Sequence, residues 1–198
     1  MRGRTDQMLY DLVRKNRSYR GYDETYRFTR EQLLRYVECA RLCPSSANKQ
    51  PLRYYVAEDP ETVAVIQQQT RWARALPQMV LPHPGKRPTG FIVICQDGTL
   101  DENLNRYQKD VGIVAQTMLL AAVEEGLGGC MIGNFSADSL RSALKLPETI
   151  HPLLVLALGK PDEQIEIVEV KDGKTDYYRD GQDVHYVPKR SLESELLP

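Results

Sequence analysis

Two arginines with a hydroxyl between them, in Arg17-Ser18-Tyr19-Arg20, are the most chemically capable residues near the start of the chain. Guanidinium forks suit a phosphate dianion, which takes several charge-assisted donors in fixed geometry. Lys189 and Arg190 add to that charge if the C-terminal tail folds back. Taken alone, the same residues also make an ordinary solvated basic turn. A second polar stretch, Pro44-Ser45-Ser46-Ala47-Asn48-Lys49-Gln50-Pro51, offers hydroxyls and amides that donate and accept, as a heterocycle with alternating carbonyls and NH groups requires. A plain helix-to-strand loop is the other reading of it. Finally, Gly128, Gly129 and Gly133 flank Cys130, Met131 and Ile132, a short strand whose backbone other groups, including a flat ligand, could approach closely.

The elements that must hold these stretches follow from period and caps. Val111, Val114, Ala115, Met118, Leu119 and Ala122 recur at helical spacing, while Ile113, Leu120, Ala121 and Val123 fill other faces. A helix over 111–123 is therefore apolar nearly all round and needs burial in a domain core or a subunit interface. Gly126 suits the left-handed residue that ends it. A short amphipathic helix from Thr5 to Lys15, with Met8, Leu9, Leu12 and Val13 on one face, leads into the basic cluster. Thr29 and Gln32 form a capping box for a second helix with Leu33, Leu34, Val37 and Ala40 inward, and Pro44 stops it.

Residues 54–57, 91–95 and 153–158 read as strands, the last closed by Gly159. Asp59-Pro60 opens a largely surface helix carrying Val63 and Ile66, and Ser136 caps a short one reaching Leu144. From Arg71 to Thr89 the period is lost, and Pro77, Pro82, Pro84, Gly85 and Pro88 make a long loop around the only tryptophan, Trp72. Loops of this length in compact domains are usually functional or mobile. Residues 160–198 hold short alternating pieces without a core of their own, which implies an extension that wraps around the domain or a partner subunit.

Composition sets the outer limits. A chain of 198 residues, 41% of them hydrophobic, suits one globular domain. A net charge of -1 argues against nucleic acid or an acidic membrane as the main partner. No apolar run is long enough to span a bilayer, and the polar start at Met1 to Gln7 lacks the apolar core of a secretory signal, so a cytoplasmic location is expected. Cys39, Cys43, Cys95 and Cys130 are then expected as thiols, with no metal site. The glycines around Leu127 follow a helix and precede a strand, the reverse of a dinucleotide fingerprint, and no GxxxxGK[ST] loop occurs. His83, His151 and His185 are scattered, with neither zinc spacing nor a nucleophile elbow, and read as structural or exposed.

In combination these stretches resemble the nitroreductase superfamily of FMN enzymes. The resemblance rests on the order of Arg17-Ser18-Tyr19-Arg20, the Pro44 to Pro51 loop, Asp110 opening the core helix, Gly126-Leu127-Gly128-Gly129-Cys130-Met131-Ile132-Gly133, Leu158-Gly159-Lys160-Pro161 and Val187-Pro188-Lys189-Arg190. It implies an α+β fold with a central mixed or antiparallel sheet flanked by helices, and an intertwined homodimer with FMN at the subunit junction. It further implies that Arg17, Ser18, Arg20, Lys189 and Arg190 hold the phosphate and ribityl end. Pro44, Ser45, Ser46 and Asn48 would approach the flavin from the partner subunit, with Gln50 touching it or bracing its loop. Met131, Ile132, Gly133 and Asn134 would pass along the ring, and Trp72 would roof the substrate side.

NAD(P)H would be the reductant and a nitro compound, quinone or other small molecule the electron acceptor. Asn16 stands where many members carry the first of two arginines, and Arg53 follows Gln50-Pro51-Leu52 where a tryptophan often comes sooner; these departures bear on the substrate. A protein that stores or senses FMN without turnover would share every phosphate contact, and a dimeric interaction module would need only the apolar helix.

Overall fold

The computed structural model describes residues 8–197; Thr5 to Gln7 of the expected first helix lie outside them. The chain runs α1 (Met8–Lys15), α2 (Arg30–Arg41), β1 (Leu52–Ala57), α3 (Pro60–Gln69), β2 (Gly90–Asp97), α4 (Gln108–Glu124), β3 (Gly128–Ile132), α5 (Ala137–Ala143), β4 (Ile150–Gly159), β5 (Ile165–Glu169), β6 (Tyr178–Arg179), β7 (His185–Lys189) and α6 (Leu192–Glu195). The first four strands form a sheet of order β1-β2-β4-β3 in which every pair is antiparallel. The fold is α+β, as the sequence implies.

Strand alternation divides the core into two layers. Ile92, Ile94, Leu156 and Leu158 point to one face and pack with Leu33, Tyr36 and Ala40 of α2 and Val111, Ala115, Met118 and Ala122 of α4. Phe91, Val93, Val155 and Ala157 point to the other and meet Ile66 of α3, Leu140 of α5 and Leu144. The two central strands are thus apolar at successive residues, because both of their faces are covered.

Period and caps place most elements as expected. Thr29 and Gln32 form the reciprocal capping box of α2, and Asp59 caps α3 with Pro60 in its first turn. Helix α4 ends at a left-handed Gly126 (φ +76), with the Leu127 amide reaching Ala122 O and the Gly126 amide reaching Val123 O, a double bond pattern that satisfies two terminal carbonyls. One inward residue of α2 differs: Leu34 is 45% exposed and Tyr36 is buried instead. The stripe at i, i+3 and i+7 from Leu33 selects Tyr36 and Ala40, and Leu34 falls outside it. Helix α4 is not covered all round within one chain, since Ile113 stays 41% exposed. Strand β4 begins earlier than expected, passing Pro152 at a register shift opposite Ile94 and Cys95, the kind of site where a strand tolerates proline.

The C-terminal segment is more ordered than its alternation suggests. Strands β5, β7 and β6 make a second sheet, β5 parallel and β6 antiparallel to β7. It is joined to the main body through a Tyr22–Pro161 bridge and through Glu163, whose carboxylate accepts the Arg20 backbone N–H. The proline-rich loop over 71–89 holds no helix and leans on this segment by Lys86 Nζ to Asp162 Oδ2 (3.2 Å) and His83 Nε2 to Asp183 Oδ2 (3.2 Å).

Candidate active site

The basic cluster is positioned by strand β3. Ser18 bridges Gly129 in parallel, and the Tyr19 amide donates to Gly129 O (3.1 Å). The two glycines permit that approach: a Cβ on Gly128 would stand 2.5 Å from the Tyr19 ring, and one on Gly129 would stand 2.4 Å from Ala157 O. At these positions the close neighbours are the protein's own groups, so the room for a flat ligand lies at the other end of the strand. Nothing comes within 4 Å of a Cβ on Gly133.

Arg17, Ser18, Arg20, Tyr177, His185 and Lys189 line one cavity of about 240 Å³. Arg17 sits at the end of α1, its Nε donating to Asn16 O (2.6 Å) and its Nη2 to Val13 O (2.9 Å). Arg20 donates from Nη1 to Ser18 O (3.2 Å), and its guanidinium lies 4.8 Å from the Tyr177 ring centroid. Arg190 is placed differently. It faces a separate groove of about 660 Å³ with Tyr10, Arg14 and Ile167, which Lys189 also borders.

A second cavity, of about 150 Å³, shares Arg20 and Tyr177 with the first and is otherwise lined by Trp72, Arg71, Arg74 and the run from Cys130 to Asn134. Trp72 is oriented by its Nε1 donating to Thr70 Oγ1 (3.0 Å), while the Arg71 amide donates to Asn134 O (2.9 Å). The structure therefore brings Trp72, Met131, Ile132, Gly133 and Asn134 together beside Arg20.

The polar loop stands apart from both. Ser45 Oγ donates to Asp110 Oδ2 (2.8 Å), the Ser46 amide to the same oxygen (2.8 Å) and Ser46 Oγ to Asp110 Oδ1 (2.6 Å). Asp110 is only 3% exposed at the start of α4. Burial alone would raise its carboxyl, but the donors of Ser46 and Ser45 outweigh that and hold it below the ordinary range. Ala47, Asn48 and Gln50 all have φ near +50, an unusual density of left-handed non-glycine residues, and Gln50 Nε2 braces the turn on Asn48 Oδ1 (3.0 Å). With Pro44, Ser45 and Gln50 this loop borders a third cavity of about 140 Å³. No described cavity holds both this loop and Arg17 to Arg20.

Because three donors converge on one carboxylate, Asp110→Ala is expected to lower stability by roughly 2 kcal/mol; Ser46 is exposed, so its freed donors regain water. Hydrogen exchange across residues 44–50 should rise at the same time. Unchanged exchange there would mean that something else fixes the loop.

Two lining residues escape a motif-based reading. Tyr177 belongs to none of the stretches singled out. His185 looks isolated in sequence, yet strand period 2 places His185, Val187 and Lys189 on one face, which was a usable signal.

A family model described as the nitroreductase family matches residues 13–160, which is well over half of the chain and includes Arg17 to Arg20, the 44–50 loop, Asp110 and Met131 to Asn134. The chain belongs to the nitroreductase family. Among curated relatives, this nitroreductase-family chain is 25% identical over 166 residues to a provisionally named NADH dehydrogenase/NAD(P)H nitroreductase of Archaeoglobus fulgidus, covering 81% of the chain and 90% of that protein. Among solved structures it resembles a nitroreductase family protein from Clostridium novyi, with a TM-score of 0.63, 22% identity and coverage of 93% of this chain and 97% of that one. An FMN-dependent nitroreductase from Clostridium difficile superposes with a TM-score of 0.62 at 24% identity, covering 77% and 87%. The family match stops at Lys160, so the second sheet, with His185 and Lys189, lies outside it.

Proposed function

We propose that the protein is an FMN-dependent NAD(P)H oxidoreductase acting as a homodimer on a small electron-accepting molecule such as a nitro compound or quinone. The observation that carries this reading is the joined pair of cavities: Arg17, Ser18, Arg20 and Lys189 around one, Trp72 and Met131 to Asn134 around the next, with Arg20 and Tyr177 common to both. Family membership and the names of the relatives support it. The residues fit the cofactor on their chemistry. Three cationic side chains and a hydroxyl suit a phosphate, and the neighbouring buried nitrogens Arg179 Nε, His185 Nδ1 and His185 Nε2 lack partners among the described residues.

Bound FMN would supply hydride acceptance from NAD(P)H and donation to a second substrate in turn, so that one cleft serves both and no separate dinucleotide domain is needed. The protein's own part is placement and charge. Arg17, Arg20 and Lys189 neutralise the anionic end and fix its position, Arg190 contributing from the adjoining groove. Met131 to Asn134 line the ring, and Trp72, held by Thr70, keeps bulk water off the substrate side. Pro44, Ser45, Ser46, Asn48 and Gln50, rigidified by Asp110, are presented to the flavin of the second copy. Exposed apolar residues on α1 (Met8, Leu9, Tyr10, Val13) and Ile113 on α4 supply surface for that association.

The test is to mix the purified protein with FMN, measure binding by quenching of flavin fluorescence, and then add NADH or NADPH without oxygen. Tight binding with rapid bleaching of the flavin absorbance is expected. Failure to bind FMN would overturn the proposal, and binding without reduction would make the protein an FMN carrier or sensor. Arg20→Ala should weaken FMN on the order of 10-fold, the loss of one charged hydrogen bond and one ion pair at a half-exposed site.

A further inference from the structure

The cavity floor contains a group to which the proposed function assigns no task. His185 is 1% exposed on β7, and its strand is fixed by the backbone, with the His185 amide donating to Gln164 O (2.9 Å). Its ring stands edge-on to Tyr177, centroids 5.2 Å apart. Neither imidazole nitrogen has a hydrogen-bond partner among the described residues, although the ring borders the cavity of Arg17, Ser18, Arg20 and Lys189. Arg179 is its register partner on β6, and there the Nε is buried and unpartnered too. Buried donors are rarely left unpaired, and the Arg179 Nε–H together with the one N–H that a neutral imidazole carries points to a missing acceptor. A rich acceptor beside arginines and a lysine is an anion.

We infer that His185 is a direct hydrogen-bond donor to the anionic end of the bound cofactor, completing the cradle from the β7 side, and that it selects phosphorylated flavin over riboflavin. The inference rests on the FMN reading given above. The charged and titratable groups around the ring are Arg20, Arg179 and Asp183, Tyr177 against its edge, Arg17 on the same cavity, Lys189 farther along the same face of β7, and Glu163, which is bonded to the Arg20 amide and the Arg179 guanidinium. Burial first, then Arg20 and Arg179, push the imidazole down to about 4, with Asp183 opposing, so the ring is neutral at pH 7. Without a bound anion the imidazole is neutral and keeps one N–H, so what it offers an arriving phosphate is a hydrogen bond with a defined direction.

The experiment measures FMN and riboflavin affinities by fluorescence quenching for the wild type, His185→Leu and His185→Gln. His185→Leu should weaken FMN on the order of 10- to 100-fold and riboflavin by less than about threefold, while His185→Gln, which keeps an N–H, should recover most of the loss. Equal weakening of both flavins, or of neither, would overturn the inference. If His185→Leu fails to fold, nitrogen NMR of the wild-type histidines decides. The His185 ring signals should move on adding FMN or inorganic phosphate and stay in place with riboflavin, and an unmoved ring with FMN would overturn the inference. A wild type that binds neither flavin would instead bring down the proposed function itself.

Discussion

Replacing Arg179 by methionine is expected to cost roughly 3–5 kcal/mol of folding stability, a lowering of the melting temperature by about 6–20 °C. The side chains of Arg179 and Glu163 are 2% and 3% exposed and form an ion pair through Nη2 and Oε2, while Arg179 Nη1 also holds Asp183 Oδ1 at 2.9 Å. Removing the guanidinium leaves the Glu163 carboxylate buried without its counter-ion, which is what makes breaking such a pair expensive. The consequence reaches the site, because the other Glu163 oxygen accepts the Arg20 backbone N–H and fixes the segment that carries the cationic cluster. Denaturant or thermal unfolding measures the first effect and FMN binding at a temperature well below the midpoint the second. Adding Glu163→Gln to Arg179→Met should return part of the stability, since the double variant buries no charge. A single variant that loses less than about 1 kcal/mol would show that the second sheet is held by its apolar contacts instead.

That ion pair also marks where reading from sequence ran out. The main sheet and its helices were legible because their signals are local: a 3.6-residue stripe in α4, a glycine where a left-handed residue must follow, a capping box at Thr29, proline after an N-cap aspartate. The second sheet sends no such signal. Its strands span two to five residues, β5 and β7 pair in parallel from distant parts of the tail, and its interior is Arg179, Glu163 and His185, residue types that read as surface when met singly. Asp110 was legible as the residue opening the core helix. Its three donors were not, since Ser45 and Ser46 lie 65 and 64 residues away. The glycines of β3 illustrate a third case. Close backbone approach was readable from Gly128 and Gly129, but only the fold shows that Tyr19 is what approaches there and that the open space lies at Gly133.

Acidifying the cofactor-free protein from neutral pH is expected to remove up to about 3 kcal/mol of stability through His185 alone. The unfolded chain takes up this proton as the pH falls through the ordinary value of 6.5, whereas the folded chain resists until about 4. The unfolded state thus binds more protons throughout that interval, so stability is full above 6.5, declines between 6.5 and 4, and loses nothing more from this group below. His185→Phe has no proton to take up and can keep an edge-on contact with Tyr177, so it should flatten this part of the profile. Urea titrations of both proteins between about pH 7.5 and about pH 4.5 would show the difference, and parallel profiles would mean that His185 is charged freely within the fold. Inorganic phosphate should work in the opposite direction from acid. A phosphate anion beside the ring favours the protonated imidazole and offsets the fields of Arg20 and Arg179, so the decline should become shallower in phosphate than in an uncharged buffer at matched ionic strength.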